Sequence, residues 1–269
     1  MTILFFGSSE YSIIILQALL KAGYQPQVVT DTAPVTQFCQ QNQITLLPAG
    51  RRVKLLLVDL IISADYGHKI PQALLKQAKI GSLNLHPSLL PKYRGATPVP
   101  HALLAGDKTT GITLIQMTNK IDSGPILAQQ TIPISPQDNA ATLLKKCFSK
   151  GAKLLVKTLP NYIEHKITPK PQPNKSPTAY TRRFTKQDGY ISWKSFKSAL
   201  SANGENIYNQ ARALYPWPGV HTTLPNNKTL KIISAKLDRH KLLPTSVQLP
   251  GKNPISWQAF LAGYQHLLQ

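Results

Sequence analysis

Asn84 and His86 lie two residues apart in the segment 82–95, SLNLHPSLLPKYRG, and Asp122 opens a later Asp-Ser-Gly-Pro turn. On extended backbone, positions i and i+2 share a face, so the Asn84 amide and the His86 imidazole project together. Pro87 favours that extended backbone at His86, because a following proline disfavours the α region. An amide N–H can meet a developing oxyanion, an imidazole can move protons near neutrality, and a carboxylate can orient that imidazole and balance its charge. Together these groups meet the needs of acyl transfer to an amine. A lone histidine is more often structural, and Asp122 alone would read equally well as a turn residue. The three together point to chemistry.

Strands must position these groups, and the flanking chain supplies them. Residues 2–6 form a short apolar run ending at Gly7, and Ser8, Ser9 and Glu10 offer caps for a helix through Lys21. Residues 27–30 read as a second strand, 35–41 as a helix and 59–63 as another buried strand. Repeated βα units predict an α/β fold: a doubly wound, mainly parallel, Rossmann-like sheet with ligands at the carboxyl ends of its strands. Asn84 and His86 end such a strand. Gly7 alone is no dinucleotide fingerprint, so neither NAD nor FAD is expected. Residues 112–117 and 126–132 are strand-like around the Asp122 turn. A long helix is predicted over 139–162, with Leu143, Leu144, Phe148, Leu155 and Leu159 on its apolar side.

The stretch 168–177, TPKPQPNKSP, is proline-rich and basic, which fits a linker or an extended crossing strap. Beyond it, short strand-like pieces and a hairpin signal at 224–228 suggest a smaller β-rich domain. The expected division is 1–167 catalytic, 168–179 linker and 180–269 C-terminal. Cys39 and Cys147 have neither metal nor redox spacing and read as reduced thiols of a cytoplasmic protein; no metal is expected. The opening MTILFF reads as a first strand rather than a leader. The longest apolar run, 55–62, is interrupted by Asp59 and is too short to cross a bilayer, so no membrane association is expected.

The 31 basic residues against 11 acidic ones give a formal charge of +20, which favours a polyanionic partner. A solvated basic surface is the plainer reading. The distribution argues for a stripe: Lys145, Lys146, Lys150, Lys153, Lys157, Lys166, Lys170, Lys175, Arg182, Arg183, Lys186, Lys194 and Lys197 are opposed only by Glu164 and Asp188.

The run N-x-H-x-S-L-L-P, completed by D-x-G, resembles the signature of the folate-dependent formyltransferases. That resemblance implies a catalytic trio of Asn84, His86 and Asp122, with 10-formyltetrahydrofolate as the co-substrate. The stretch 89–95 is expected to wrap the site, and the resemblance implies a cis Leu90–Pro91 bond and folate binding by Ser88, Leu89, Leu90 and Pro91. Tyr66, Gly67 and Ile70 match the family's folate-pocket loop, and Asp138 falls where the family approaches the pterin. Arg94 has two readings, a substrate phosphate contact or a helix cap. Formyl is already an activated acyl group, so the amine attacks it directly; no serine or cysteine shows nucleophile spacing.

The family's acceptors include glycinamide ribonucleotide, amino-sugar nucleotides and methionyl-tRNA. Segments 186–193, 213–219, 228–233 and 256–261 resemble the OB-like C-terminal domain of members acting on methionyl-tRNA. With the basic stripe, this implies initiator methionyl-tRNA as partner in translation initiation, bound by a monomer through Arg94, Lys146, Lys150, Lys153, Lys157, Lys170, Lys175, Arg182 and Arg183. An amino-sugar nucleotide acceptor, or a non-catalytic tRNA-binding relative, is the alternative. Trp217 and Trp257 are expected in the core rather than stacked on bases. Two departures from the family pattern stand out. The long basic loop usual after the second strand is replaced by the short turn 29–34, and residues 235–247 span what is normally several barrel strands. The first implies weak discrimination of initiator from elongator tRNA.

Overall fold

A computed structural model of the chain describes residues 1–48 and 58–267; positions 55–57 of the apolar run lie outside the described residues. Among the described residues, no helix is long and apolar enough to cross a membrane. Compactness groups the chain into two discontinuous units. One comprises Met1–Gly95, Thr109–Pro133 and Leu144–Thr181; the other comprises Ala96–Lys108, Ile134–Leu143 and Arg182–Gln269.

The first unit begins β1 (Ile3–Phe6), α1 (Glu10–Lys21), β2 (Pro26–Thr30), α2 (Ala33–Gln41), β3 (Leu46–Pro48), β4 (Leu60–Ala64), α3 (Gln72–Leu75) and β5 (Gly81–His86). Ser9 caps α1, accepting from the Tyr11 and Ser12 amides, as the Ser-Ser-Glu run predicts. After α4 (Pro98–Leu104), which belongs to the second unit, come β6 (Thr109–Gln116), β7 (Ile126–Pro133) and the long α5 (Ala140–Ile163).

The seven strands form one sheet in the order β3-β2-β1-β4-β5-β6-β7. The first five are parallel, while β5, β6 and β7 pair antiparallel. β1 and β4 are buried at every position, as strands covered on both faces must be. The mainly parallel sheet is thus the one expected, with β3 and α4 added. β3 is three residues long and α4 begins on two prolines, so neither carries a readable period.

The second unit continues with a 3-10 turn at Lys186–Gly189, then α6 (Trp193–Ser201), α7 (Glu205–Ala213), β8 (Val220–Thr223), β9 (Thr229–Asp238), β10 (Lys241–Gln248), β11 (Ile255–Ser256) and α8 (Trp257–Tyr264). Its sheet is antiparallel and four-stranded, in the order β11-β10-β9-β8. An OB barrel has five strands; here residues 235–247 form only the β9–β10 hairpin. The hairpin expected at 224–228 joins β8 to β9, with the Leu224 amide donating to the Lys228 carbonyl at 2.8 Å.

Three helices depart from the purely β-like reading. Both α6 and α8 start at a Ser-Trp pair, and Ser192 and Ser256 accept from the Ser195 and Ala259 amides at 3.0 and 3.1 Å. Those caps were legible, but each helix is too short to show a sustained apolar period. Trp257 stacks on Phe260 and meets Phe196 edge-on, so Trp257 is a packing residue as expected.

Candidate active site

β5 brings the site together. Its register sets Asn84 beside Ser63 of β4 and His86 opposite Thr113 of β6. Both functional side chains therefore leave the same face at the strand's carboxyl end. Asp122 arrives on the turn between β6 and β7 with φ +50°. The following glycine is obligatory, because a Cβ on Gly124 would lie 1.7 Å from the Gln116 carbonyl oxygen.

The three predicted residues converge. His86 Nδ1 is 3.5 Å from Asp122 Oδ2, and the Asn84 amide donates to Asp122 Oδ1 at 3.3 Å. The Gly95 amide donates to Asp122 Oδ2 at 2.9 Å. His86 is 5% exposed, and its Nε2 meets the Tyr93 carbonyl oxygen at 2.9 Å. A carbonyl only accepts, so Nε2 carries a proton. The exchangeable proton then belongs to Nδ1, which faces the carboxylate. In a site this enclosed, a charged imidazole and its counter-ion interact more strongly than in water.

The loop after β5 is held from both sides. Thr113 Oγ1 donates to the Ser88 carbonyl at 2.6 Å and accepts from the Leu90 amide at 3.2 Å. Gln129 donates to the Leu90 carbonyl at 2.8 Å. The Leu90–Pro91 bond is cis, as the resemblance implied. From the other side comes the segment 168–181, which is a strap rather than a free linker. Lys170 pairs its backbone with Ile126, Ser176 Oγ donates to the Pro91 carbonyl at 2.6 Å, and Thr178 Oγ1 accepts from the Tyr93 amide at 2.7 Å. Gly95, with φ +105°, lies so close to the strap that a Cβ would meet the Thr181 carbonyl at 2.5 Å.

Arg94 changes role. It is 6% exposed; its Nε and Nη2 donate to Gln172 Oε1 at 3.0 and 2.8 Å, and Nη2 also reaches the Pro173 carbonyl. Gln172 Nε2 in turn donates to the carbonyls of Asp122 and Gly124 at 3.0 and 2.7 Å. Arg94 is therefore neither a helix cap nor a surface phosphate ligand. It orients Gln172, which clamps the Asp122 turn.

The other expected positions have local partners of their own. Tyr66 meets Phe6 edge-on at 5.1 Å, and burial, with Asp31 adding to it, raises its phenol above the usual range. The Gly67 amide donates to Ser8 Oγ at 3.4 Å. Ile70 is buried in the core with Leu4, Phe6 and Leu74, so only its backbone can serve a pocket. Ser88 is fully buried and bonds the Lys92 carbonyl, while Leu90 is 3% exposed; both build the loop itself. Leu89 packs on Gly111, where a Cβ would come 2.4 Å from it. Asp138 belongs to the second unit, where its carboxylate accepts from the Ser135 amide and Thr142 hydroxyl before α5, and Arg212 binds its carbonyl.

Lys146, Lys150, Lys153 and Lys157 are exposed along α5, and Lys170 and Lys175 are exposed on the strap. Arg183 is exposed too, whereas Arg182 forks onto the Asp188 carboxylate. The second acid in the stripe, Glu164, pairs with Lys166 at 2.6 Å. Sequence reasoning placed Tyr93 and Gly95 in the loop around the site but gave neither a role, and it missed Thr113, Gln129 and Gln172. Thr113 could have been found by pairing strands across from His86; Gln172 gave no signal.

Known proteins resemble the chain over most of its length. Residues 18–159 match the formyl transferase family, and 183–242 match the formyl transferase C-terminal domain. The chain belongs to the formyl transferase family. A methionyl-tRNA formyltransferase of Enterococcus faecalis is 36% identical over 243 residues, covering 82% of this chain and 75% of the relative. The counterpart from Listeria monocytogenes serotype 4a is 30% identical over 308 residues, covering 97% and 95%. That alignment is longer than the whole 269-residue chain, so the relative carries insertions that this formyl transferase lacks. Among solved structures, the N-formyltransferase from Helicobacter canadensis, in complex with folinic acid and dTDP-3-aminofucose, superposes with a TM-score of 0.69. It is 20% identical and covers 92% of this chain and 94% of its own.

Proposed function

We propose that this protein transfers the formyl group of 10-formyltetrahydrofolate to the α-amine of initiator methionyl-tRNA. The observation that carries formyl transfer is the meeting of His86 Nδ1, the Asn84 amide and Asp122 at the end of β5. The acceptor follows from the relatives: methionyl-tRNA formyltransferases match at 30–36% identity over most of the chain. The exposed lysines of α5 and the strap suit a phosphate backbone.

The amine attacks the formyl carbon, the bond from that carbon to the folate nitrogen breaks, and one proton passes from the amine to that nitrogen. An N–H of Asn84 faces the developing oxyanion; one such donor contributes about 3 kcal/mol. His86 lies beside it, and Nδ1, facing Asp122, is the nitrogen through which a proton can move. Asp122 accepts the Gly95 and Asn84 amides, which fixes its rotamer. The Tyr93 carbonyl holds the ring's other nitrogen, so the imidazole cannot flip without losing a buried hydrogen bond.

One assay separates the alternatives. Purified protein with 10-formyltetrahydrofolate is offered charged initiator tRNA, charged elongator methionyl-tRNA and a dTDP-amino sugar. Formylated methionyl-tRNA is expected, with little preference for the initiator because the turn after β2 is short. Product only from the sugar nucleotide would overturn the acceptor; no product from any would leave a tRNA-binding relative.

A further inference from the structure

Trp217 is 63% exposed, contrary to its expected place in the core, and it has company. Tyr215 and Tyr190 are 40% and 42% exposed. The Gly219 amide donates to the Leu214 carbonyl at 2.9 Å, closing residues 215–218 into a projecting loop with Trp217 between two prolines. The loop leads into β8, at the edge of the second unit's sheet, whose outer face carries His221 and Lys231. Along that face Tyr190 bridges His221, their rings 5.9 Å apart, and His221 pairs with Lys231 of β9. Lys231 also runs over Gly219, where a Cβ would meet its Cε at 2.5 Å and its Nζ at 3.2 Å. Val220, Thr222, Leu230 and Ile232 alternate with these residues and are buried, so the outward row does not build the core. Gly189 touches the Gly219 carbonyl, which brings Tyr190 close to the base of the Trp217 loop.

We propose that Trp217 and Tyr190, with the ammonium of Lys231, form a stacking surface for unpaired nucleotides of the tRNA substrate. The inference rests on the acceptor reading given above. Aromatic faces open to solvent accept any base, and a neighbouring cation holds the phosphate that links stacked bases. A protein of net charge +20 is a poor docking site for basic or neutral surfaces and a good one for a polyanion. Stacking here complements the lysine face of α5: the lysines neutralise phosphates, whereas Trp217 contributes contact that salt does not screen.

The test uses the full chain, charged methionyl-tRNA and a salt series. Stacking is expected to make Trp217→Ala bind roughly ten-fold more weakly, with an unchanged dependence of log Kd on log salt, and Trp217→Phe to recover most of the loss. Lys231→Ala should weaken binding and lower the slope by about 0.7, the single-strand value per phosphate. Binding should quench the tryptophan fluorescence of the wild type and not that of Trp217→Phe. A blunt RNA duplex should not distinguish wild type from Trp217→Ala. Equal tRNA affinity of the two proteins, with the wild type still formylating methionyl-tRNA, would overturn this inference alone. A shift in oligomeric state with unchanged tRNA affinity would assign the face to a second copy instead. Failure of the wild type to bind or formylate tRNA would overturn the acceptor reading and this inference with it.

Discussion

The Nε2 of His86 and the carbonyl oxygen of Tyr93 are 2.9 Å apart, and this one bond puts a proton on Nε2. Tyr93 takes a left-handed φ of +59° to present that carbonyl. The tautomer is therefore set by a backbone carbonyl of the loop Pro-Lys-Tyr-Arg-Gly. Asp122, on the other side of the ring, is left to face Nδ1.

His86→Ala and Asp122→Ala are each expected to lower kcat about 10²- to 10⁴-fold, the usual range for a general acid–base residue. Asn84→Ala should cost about 10²- to 10³-fold, as for a single oxyanion donor. Steady-state kinetics on variants with native circular dichroism check this. Near-native turnover of a folded His86 variant would remove the imidazole from the mechanism.

Gln172 positions the Asp122 turn without being near enough in sequence to suggest it. Gln172→Ala leaves the Arg94 guanidinium and the Asp122 and Gly124 carbonyls without their shared partner. A fall in kcat of roughly ten-fold is expected, with KM for the folate co-substrate nearly unchanged, because the loss is one of orientation. Gln172→Glu is the sharper variant. It can still accept from Arg94 but cannot donate to the two carbonyls, so it should not restore turnover.

The convergence of Asn84, His86 and Asp122 was legible because its parts are local: two residues on one strand, and an aspartate shortly before a glycine that the backbone requires. The parallel sheet was legible too, since β1 and β4 are short and nearly all apolar and β2 carries a Val-Val pair at its centre. What escaped was long-range. Arg94 looked like a surface cation in a basic chain, and nothing at position 94 indicates that position 172 will cover it. Trp217 looked like core, because a large aromatic side chain usually is; exposure depends on which way a loop closes. The helices α6 and α8 were hidden by their brevity, although each announced itself with a serine cap.

Acid stability should carry a signature of Asp188. Arg182, and after it the Thr185 amide, hold its carboxyl well below the usual carboxylate range. A group depressed in the folded state stabilises fully above its unfolded pKa and loses that contribution as pH falls through the lowered folded value. Wild type should therefore exceed Asp188→Asn in stability by a constant margin near neutrality. The margin should shrink only below about pH 4, the unfolded aspartate range. Urea unfolding of both proteins from neutral pH down to about pH 3 measures it, and a margin independent of pH would show that the ion pair contributes nothing.

The exposed lysines of α5 should supply much of the tRNA affinity. Lys146, Lys150, Lys153 and Lys157 recur at spacings of four, three and four, which places them on one side of the helix. The opposite side is buried through Cys147, Phe148, Leu155 and Leu159. The helix thus cannot turn those charges inward, and they stay on its exposed side. Each phosphate neutralised on duplex RNA releases counterions and adds roughly 0.7 to 0.9 to the slope of log affinity against log salt. Reversing Lys150, Lys153 and Lys157 to glutamate should weaken tRNA binding at low salt and flatten that slope by about two or more. Folate binding should be untouched, because none of the three contributes to the β5 site. Unchanged affinity and slope would reduce the stripe to a solvated face and leave the acceptor assignment resting on the relatives alone.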